Sequence, residues 1–426
     1  MGVAILFGVF VITLVMGVPV ALALGMASAA YLVGNGMPLV VIPQKMFAGI
    51  DVFVLLCIPG FILAGNLMNG GGITERIIRF ANALVGWIRG GLGLTNIAGS
   101  MIFAGVSGTA VGDAASLGGV LIPGMKKAGY PADFSAAVTA ASSTIGPIIP
   151  PSVPMIIVGA LTGVSVGRMF LAGAIPGLLL GLGLMITCYL IARRRGYPHL
   201  PWRGWGELVR AFAGAFWALA MTVLILAGLM SGIATPSETA IVASLYALVV
   251  GGLVYRGLAW RDLPRVLVSS AVSSAAILTL VGFANVFGWI LASERIPQML
   301  ADAVLSLTDN KILIILLLNV LLLVIGSFME TIAALIILFT PLMAVAVAVG
   351  VDPVHFATFG VLNLMIGLTT PPVGVCLFVC ANIARLPLGP VIGAVLPFLA
   401  SNLVVLLLVS FIPALSLWLP NLVFGN

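Results

Sequence analysis

Apolar stretches of roughly 20 residues recur along this chain of 426 residues. Each stretch is long enough to cross the ~30 Å hydrocarbon core of a bilayer as an α-helix. Hydrophobic residues make up 62% of the chain and charged residues only 7%, whereas soluble domains carry about 25% charged residues. A signal peptide would be one short apolar segment ahead of a soluble body, and no such body follows. The pattern predicts an all-α polytopic membrane protein.

The charge balance is +6, from 18 Lys and Arg against 12 Asp and Glu. In a polytopic protein, basic residues mark cytoplasmic loops, so the excess does not indicate nucleic-acid binding. The residues predicted to lie inside are Arg76, Arg79, Arg89, Lys126, Lys127, Arg193, Arg194, Arg195, Arg203, Arg256, Arg261, Arg265 and Arg385. The loop at 350–355 has an Asp but no Lys or Arg, and we predict that it lies outside.

The residues of common catalytic centres are scarce. The four cysteines form no CxxC pair and are interpreted as small hydrophobic residues. The two histidines are far apart in sequence, and the chain has neither a GxxxxGK[ST] phosphate loop nor an HExxH motif. No GxSxG stretch resembles a nucleophile elbow. We therefore expect neither an enzyme nor a cofactor.

Two proline-rich interruptions match each other. "IGPIIPPSVP" at 145–154 aligns with "IGLTTPPVGV" at 366–375, an offset of 366 − 145 = 221. The same offset places Pro151 on Pro372 and Pro176 on Pro397. A single proline pair would indicate no more than a helix kink, which membrane helices tolerate. Interrupted apolar segments at equivalent positions of two halves instead indicate the binding site of a secondary transporter.

The charge pattern predicts that the halves are inverted. The loop "MKKAGYPADF" in the first half is basic, whereas its counterpart "VAVGVDPVHF" has no Lys or Arg. Equivalent loops then lie on opposite faces of the membrane. We predict two inverted-topology repeats, 1–192 and 211–426, joined by a cytoplasmic basic linker at 193–210.

Each half contains one apolar segment that is too long for a single crossing and one that is broken by proline. Segments 92–127 and 312–349 have small polar centres, "SGTAVGD" and "GSFMET". We predict re-entrant helical hairpins there; the alternative is a long tilted helix with a Gly/Ser kink. The broken helices are predicted at 131–170 and 353–385. Segment 3–33 is either one long helix or two helices separated at "GVP".

Polar, amphipathic stretches precede both hairpins. "GGITERIIRFANALVGWIRGG" places Ile73, Ile77, Phe80, Leu84 and Ile88 on one helical face. "SERIPQMLADAVLSLTDNK" precedes the second hairpin. We interpret both as arms that lie along the membrane surface and link a moving part to a fixed part; plain surface helices are the alternative.

Few acidic residues lie at membrane depth, where a carboxylate is a functional candidate. Glu330, at the centre of the second hairpin, is the better candidate; the alternatives are a helix N-terminal charge or a partner for a basic group. Asp113 lies further from its hairpin centre, and a structural role is the alternative. "TPSETA" at 235–240 is interpreted differently, because Thr235 and Glu238 have the spacing of a capping box that begins a helix.

Helices broken within the membrane expose half-helix ends. Free N–H groups at the N-terminal ends suit an anion, and carbonyl groups at the C-terminal ends suit Na⁺. Neutral hydroxyl groups near the breaks supply further oxygen atoms: Ser107, Thr109, Ser143, Thr144, Ser152, Ser327, Thr331, Thr369 and Thr370.

The residues around the breaks resemble a known family. The run that begins "SGTAVGDAASLGGVLIPGMKKAGYPADF" and continues through "STIGPIIPPSVP" is similar to the large membrane subunit of tripartite ATP-independent periplasmic (TRAP) transporters. So are "GIATPSETA", "METIAALIILFTPLM" and "NLMIGLTTPPVGVCLFV", together with the early "GVPVALALG" and "IPGFILAGNLMNGGGITERI". The resemblance covers essentially the whole chain.

This resemblance implies Na⁺-coupled uptake of an organic anion, a dicarboxylate or a sugar acid, across the bacterial inner membrane. It implies an elevator-type fold with a scaffold and a sliding transport domain. It also implies two partners: a small four-helix membrane subunit and a periplasmic binding protein that delivers the substrate. The site residues carried over are Ser107, Gly108, Thr109, Gly146, Pro150, Pro151, Ser152, Gly326, Ser327, Glu330, Gly367, Thr369, Thr370, Pro371 and Pro372.

Three other hypotheses remain open on the sequence. The first is a stand-alone ion-coupled anion transporter that needs no binding protein. The second is a membrane scaffold that transports nothing, and the third is a membrane enzyme, which the missing catalytic cluster disfavours.

Overall fold

The structure is a computed structural model of the chain and describes residues 2–199, 201–202, 204–308 and 310–425. Arg203, a member of the predicted cytoplasmic linker, and Asp309, near the end of the second predicted arm, lie outside the described residues. The first-half helices, in chain order, are α1 (Gly2–Val15), α2 (Val20–Gly34), α3 (Val41–Ile50), α4 (Cys57–Gly70), α5 (Ile73–Val85), α6 (Gly91–Ser107), α7 (Ala110–Lys127), α8 (Ala132–Ser143), α9 (Val153–Thr162) and α10 (Val166–Arg195).

The second-half helices are α11 (Trp205–Met230), α12 (Pro236–Val249), α13 (Leu263–Ser293), α14 (Ile296–Leu307), α15 (Lys311–Phe328), α16 (Thr331–Ala348), α17 (Pro353–Gly367), α18 (Val375–Ala384), α19 (Leu388–Phe411) and α20 (Ala414–Phe424). A π-helical turn (Val250–Val254) extends α12, and short 3₁₀ turns precede α4 and α13. Within the described residues, eight helical segments are long and apolar enough to cross a membrane. The predicted all-α polytopic architecture is confirmed.

The N-terminal segment is two helices. α1 ends at Val15, and Gly17 has φ +80° before Pro19 begins the next helix. Glycine reaches this left-handed conformation without steric cost, and proline pre-sets φ for a helix start. The apolar pattern of the sequence does not predict α3, because its Pro, Gln and Lys dilute the apolar signal.

Some predicted boundaries differ from the structure. The segment predicted at 131–170 contains α8 and α9 and ends at Thr162, after which Ser165 accepts a hydrogen bond from Arg168 N and begins α10. An N-cap serine of this kind starts a helix even where the apolar composition is continuous. Near the C-terminus, Pro413 separates α19 from α20.

Two helix pairs form hairpins: hairpin 1 is α6 and α7, and hairpin 2 is α15 and α16. In hairpin 1, Asn96 Nδ2 lies 3.8 Å from Met125 Sδ, which joins the open ends of the two helices. In hairpin 2, Lys311 Nζ donates a hydrogen bond to the carbonyl of Gly350 at 2.6 Å. Each pair therefore returns to the level at which it began.

Two packing groups make up the fold. The frame comprises α1 to α4 and α11 to α13, where α4 packs on α12 and α13, and α13 packs on α2 and α3. The central body comprises both hairpins, α8 to α10 and α17 to α20. The frame meets the central body where α4 and α11 contact α6 and where α13 contacts α16.

The predicted arms are α5 and α14. α5 packs on both α6 of the central body and α11 of the frame, and Arg79 Nη2 lies 2.8 Å from Glu207 Oε1 on α11. Only part of its predicted apolar face is buried: Ile73 and Ile77 are inaccessible, whereas Leu84 is 43% exposed. Ile88 lies beyond the end of the helix, because α5 ends at Val85.

The capping box predicted at "TPSETA" is confirmed. Thr235 Oγ1 accepts a hydrogen bond from Glu238 N at 3.3 Å, and Thr235 N donates to Glu238 Oε2 at 2.7 Å. Two otherwise unpaired N–H groups at the start of α12 are thereby satisfied.

Candidate functional site

The tip of hairpin 1 is a two-residue turn. α6 ends at Ser107, Gly108 has φ +63°, and the extended Thr109 precedes α7. A Cβ on Gly108 would lie 2.6 Å from the Pro151 carbonyl oxygen, so the tip is in backbone contact with the proline pair. Both its conformation and this close approach require glycine. The Ser107 hydroxyl donates a hydrogen bond to Asp113 Oδ1.

The first interruption, break 1, spans residues 144–152 between α8 and α9. Ser152 caps α9 by accepting a hydrogen bond from Met155 N at 3.2 Å, and its hydroxyl donates to the Pro147 carbonyl. The Pro150–Pro151 bond is cis. Within the described residues, the carbonyl oxygens of Gly146 and Pro150 accept no hydrogen bond. Break 1 thus presents oxygen atoms in the interior of the protein, where its residues are almost all buried.

The tip of hairpin 2 packs on break 2, residues 368–374 between α17 and α18. A Cβ on Gly367 would lie 2.7 Å from Gly326 Cα, so the two backbones touch. Gly374 N donates a hydrogen bond to the Ser327 carbonyl at 3.4 Å. Break 2 also has a cis bond, between Pro371 and Pro372. Hairpin 2 therefore meets its own break by direct backbone contact, as hairpin 1 does.

The second half of each broken helix packs on the opposite hairpin. α9 contacts α16 and α17, and α18 contacts α7 and α8. A Cβ on Gly118 of α7 would lie 3.3 Å from Ile383 Cδ1 of α18. Cys376, in the first turn of α18, lies close to Ser143 of α8. This reciprocal packing gathers the ends of the hairpins and of both broken helices in one region.

The two carboxylates differ from each other in their surroundings. Asp113 is fully buried, its Oδ2 has no hydrogen-bond partner in the described residues, and this oxygen lies against Gly146 of break 1. Glu330 is exposed and caps α16, accepting from Ile332 N at 2.9 Å and Ala333 N at 3.2 Å. Glu330 therefore has the contacts of a helix N-cap, and Asp113 is enclosed beside break 1. The burial of Asp113 is not visible in the sequence.

The predicted hydroxyl groups near break 2 bond back to their own helices. Thr369 Oγ1 and Thr370 Oγ1 both donate to the Ile366 carbonyl at 2.9 Å, and Ser327 Oγ donates to the Val324 carbonyl at 2.7 Å. Their oxygen lone pairs remain available as acceptors. Among the predicted site residues at hairpin 2 and break 2, Glu330 and Pro372 are exposed.

A cavity of about 240 Å³ lies between the tip of hairpin 1 and the frame. Its polar wall residues are Asn66, Asn69 and Ser273 of the frame and Ser107, Thr109 and Ser116 of hairpin 1. Asn66 and Asn69 lie one turn apart on α4, which places both side chains on the same face. The sequence feature that could have identified Asn66 and Asn69 is the spacing of three residues between two amides on an otherwise apolar helix.

Comparison with known proteins identifies the family. A family model described as "Tripartite ATP-independent periplasmic transporter, DctM component" matches residues 7–415. The chain belongs to this family. DctM proteins are transporter permeases, and the chain is a multi-pass protein of the bacterial inner membrane.

Two relatives cover nearly the whole chain. The sialic acid TRAP transporter large permease protein SiaM of Vibrio cholerae is 44% identical, with 96% of each chain covered. The C4-dicarboxylate TRAP transporter large permease protein DctM of the same species is 37% identical, covering 100% of this chain and 99% of the relative. The solved YdaH transporter of Alcanivorax borkumensis has a TM-score of 0.63 over 89% of this chain and 88% of its own. At 15% identity, that last likeness shows the fold alone.

Proposed function

We propose that this DctM-family chain is the translocating subunit of a Na⁺-coupled secondary transporter that imports an organic anion. The observation that supports this most directly is the reciprocal packing of α9 and α18 on the opposite hairpins. This packing brings N-terminal and C-terminal helix ends together in the protein interior. The carbonyl groups of C-terminal ends suit Na⁺, and the N–H groups of N-terminal ends suit an anion.

The residues present fit a Na⁺ ion. Hard cations prefer oxygen ligands. The unengaged carbonyl oxygens of Gly146 and Pro150 lie in break 1, and the carboxylate of Asp113 lies against Gly146. Asp113 Oδ2 lacks a partner although it is fully buried. A bound cation would compensate the cost of burying that charge. Break 2, with Thr369 and Thr370, offers a second set of neutral oxygen atoms.

We propose that the organic anion binds in the cavity between hairpin 1 and the frame. The amide and hydroxyl groups that line this cavity can donate hydrogen bonds to a carboxylate of the anion. The substrates named for two relatives, sialic acid and C4-dicarboxylates, are both carboxylates. A sugar acid or a dicarboxylate is therefore the proposed substrate class.

The proposed transport movement is an elevator, in which the central body slides against the frame. The two halves are proposed to be inverted repeats, 1–192 and 211–426, with hairpin 1 re-entrant from the cytoplasm and hairpin 2 from the outside. Their second hairpin helices, α7 and α16, are both 18 residues long and start 221 residues apart. This matches the offset of the proline pairs.

The proposed partners are a small four-helix membrane subunit and a periplasmic binding protein that delivers the anion. The family description, "Tripartite" with a "DctM component", supports a three-part assembly. The relatives are described as large permease proteins, which supports a separate small one.

The decisive experiment is uptake into proteoliposomes. The chain is reconstituted with and without its small subunit and binding protein, and uptake of radiolabelled sialic acid and succinate is measured under a Na⁺ gradient. We expect uptake only when all three components are present and the Na⁺ gradient is directed inward. Uptake by the chain alone would favour a stand-alone transporter, and uptake that is indifferent to Na⁺ would contradict the coupling.

A further inference from the structure

The boundary between the central body and the frame is narrow beside hairpin 1. A Cβ on Gly65 of α4 would lie 3.1 Å from the Val106 carbonyl oxygen of α6. A Cβ on Gly105 of α6 would overlap the Thr222 hydroxyl of α11. Helices that approach this closely through glycine pack tightly and need no deep interlocking of large side chains.

Two hydrogen bonds cross this boundary in the described part of the chain. Thr222 Oγ1 donates to the Gly105 carbonyl at 3.1 Å, and Asn69 Nδ2 donates to Ser116 Oγ at 3.1 Å. The amide of Asn69 is oriented by Thr74, whose hydroxyl donates to Asn69 Oδ1 at 2.8 Å. The first bond is partly buried and the second is exposed. The Thr222 bond is therefore the one that water competes with less.

Thr222 has no substitute on its own helix. It is the sole residue of α11 with a hydroxyl group. The neighbours on the same face are Ala218 on one side and Ile225 on the other, both buried and neither able to donate a side-chain hydrogen bond. A displacement of α6 by one helical turn, about 5.4 Å, would remove the Gly105 bond without offering a replacement from α11.

Gly105 lies in the last turn of α6, where carbonyl groups have no partner within the helix. Thr222 satisfies one of these carbonyl groups from the frame. An unsatisfied carbonyl at membrane depth is costly, so the bond favours the position of hairpin 1 that the structure shows.

We propose that Thr222 is a positioning residue that latches hairpin 1 to the frame in this one position, with Asn69 as a second, weaker contact. This proposal rests on the proposed sliding movement. It identifies Thr222 as the residue that sets the balance between the two end positions of that movement. Releasing the latch is a step of each transport cycle. The strength of the Thr222 hydrogen bond therefore affects the movement of hairpin 1 between its positions and not the contacts that bind the substrate.

The test compares Thr222→Val, which keeps the shape but removes the hydroxyl group, with Thr222→Ser, which keeps the hydroxyl group. Thr222→Ala is a second variant that lacks the hydroxyl group, and it is used if the Val variant folds poorly. Thr239→Val is the matched control, because Thr239 is a buried frame threonine whose hydroxyl bonds within its own helix.

The readout is the distance between spin labels on the complete transporter complex in proteoliposomes. The labels are placed on Val268→Cys of the frame and Val120→Cys of the central body, both on exposed side chains. The four native cysteines are buried and so are poorly reactive. Distance distributions are recorded in Na⁺ and in K⁺.

We expect two distances, one for each end position. The ratio of their populations should shift about fivefold in Thr222→Val, because one neutral hydrogen bond is worth about 1 kcal/mol. Thr222→Ser and Thr239→Val should match the unmodified protein. A Val variant and an Ala variant that both match it, while the distances still respond to Na⁺, would overturn the latch and leave the proposed function intact. One unchanging distance in all samples would instead overturn the sliding movement on which both depend.

Discussion

Hairpin 1 and hairpin 2 have the same backbone plan, but their tips differ in chemistry. Thr109, the residue before α7, stands 221 positions from Glu330, the residue before α16. The acid of hairpin 1 is instead Asp113, inside α7 and fully buried against break 1. The acid of hairpin 2 is exposed and caps its helix. The comparison teaches that two similar backbone arrangements can enclose one carboxylate and leave the other exposed, because burial depends on the helices packed around each tip.

The largest expected effect comes from the backbone contacts that both tips share. Gly108→Ala would place a Cβ 2.6 Å from the Pro151 carbonyl oxygen of break 1, and Gly367→Ala would place one within 2.7 Å of the Gly326 backbone of hairpin 2. Such overpacking typically costs 1–3 kcal/mol, and we expect Na⁺-driven uptake to fall by about tenfold or more in both variants.

Gly119→Ala is the control for this prediction, because nothing lies within 4 Å of a Cβ at that position of α7. It should transport normally. If Gly367→Ala transported as well as Gly119→Ala, the contact of hairpin 2 with break 2 would have no role in transport.

The second prediction separates the two acids. Asp113→Asn removes the buried charge, and we expect the Na⁺ concentration for half-maximal uptake to rise by about tenfold, because a charge contact in a desolvated site exceeds ~1.4 kcal/mol. Glu330→Gln alters only a helix cap and should change that concentration by less than about twofold. A Na⁺ titration of initial uptake rates measures both. The reverse order of effects would assign the cation to hairpin 2.

The third prediction concerns the hydroxyl groups of break 2. Thr369→Ala combined with Thr370→Ala removes two neutral oxygen atoms, and we expect uptake to fall about fivefold with normal folding. Thr358→Ala on α17 is the control, since that buried hydroxyl bonds within its own helix at 2.7 Å, away from the break. Detergent-phase thermal unfolding checks the folding. Unchanged Na⁺-dependent uptake by the double variant would remove break 2 from the site.

The smallest expected effect lies in the frame. Thr235→Ala removes the capping box of α12 and should lower stability by about 1 kcal/mol, with uptake unchanged. Thermal unfolding and uptake are measured on the same preparation. A loss of transport without a loss of stability would show that this loop takes part in the transport cycle.

Much of the fold could be predicted from the sequence because local rules govern it. Apolar length predicted the membrane helices, and the proline pairs marked where they break. The spacing of Thr235 and Glu238 predicted a helix start that the structure shows. Each of these features depends on residues within a few positions of one another.

The candidate site was less accessible to sequence reasoning. The sequence favoured Glu330 over Asp113, because Glu330 lies nearer to a hairpin centre. The burial of Asp113 depends on tertiary packing, since hairpin 1 is covered by α18, which lies more than 240 residues further along the chain. The arm face failed at Leu84 for a similar reason, since the packing of α5 on α6 and α11 sets which side chains are covered. It failed at Ile88 because α5 ends at Val85.

The amino-acid sequence by itself determined that this chain is a membrane protein and where its helices are interrupted, because hydropathy, proline and glycine act locally. Only the tertiary structure decided that α9 and α18 exchange between the halves, that Asp113 is enclosed, and that Thr222 meets the Gly105 carbonyl. Those contacts join residues far apart in the chain, and their free energy exists only once the helices are packed together.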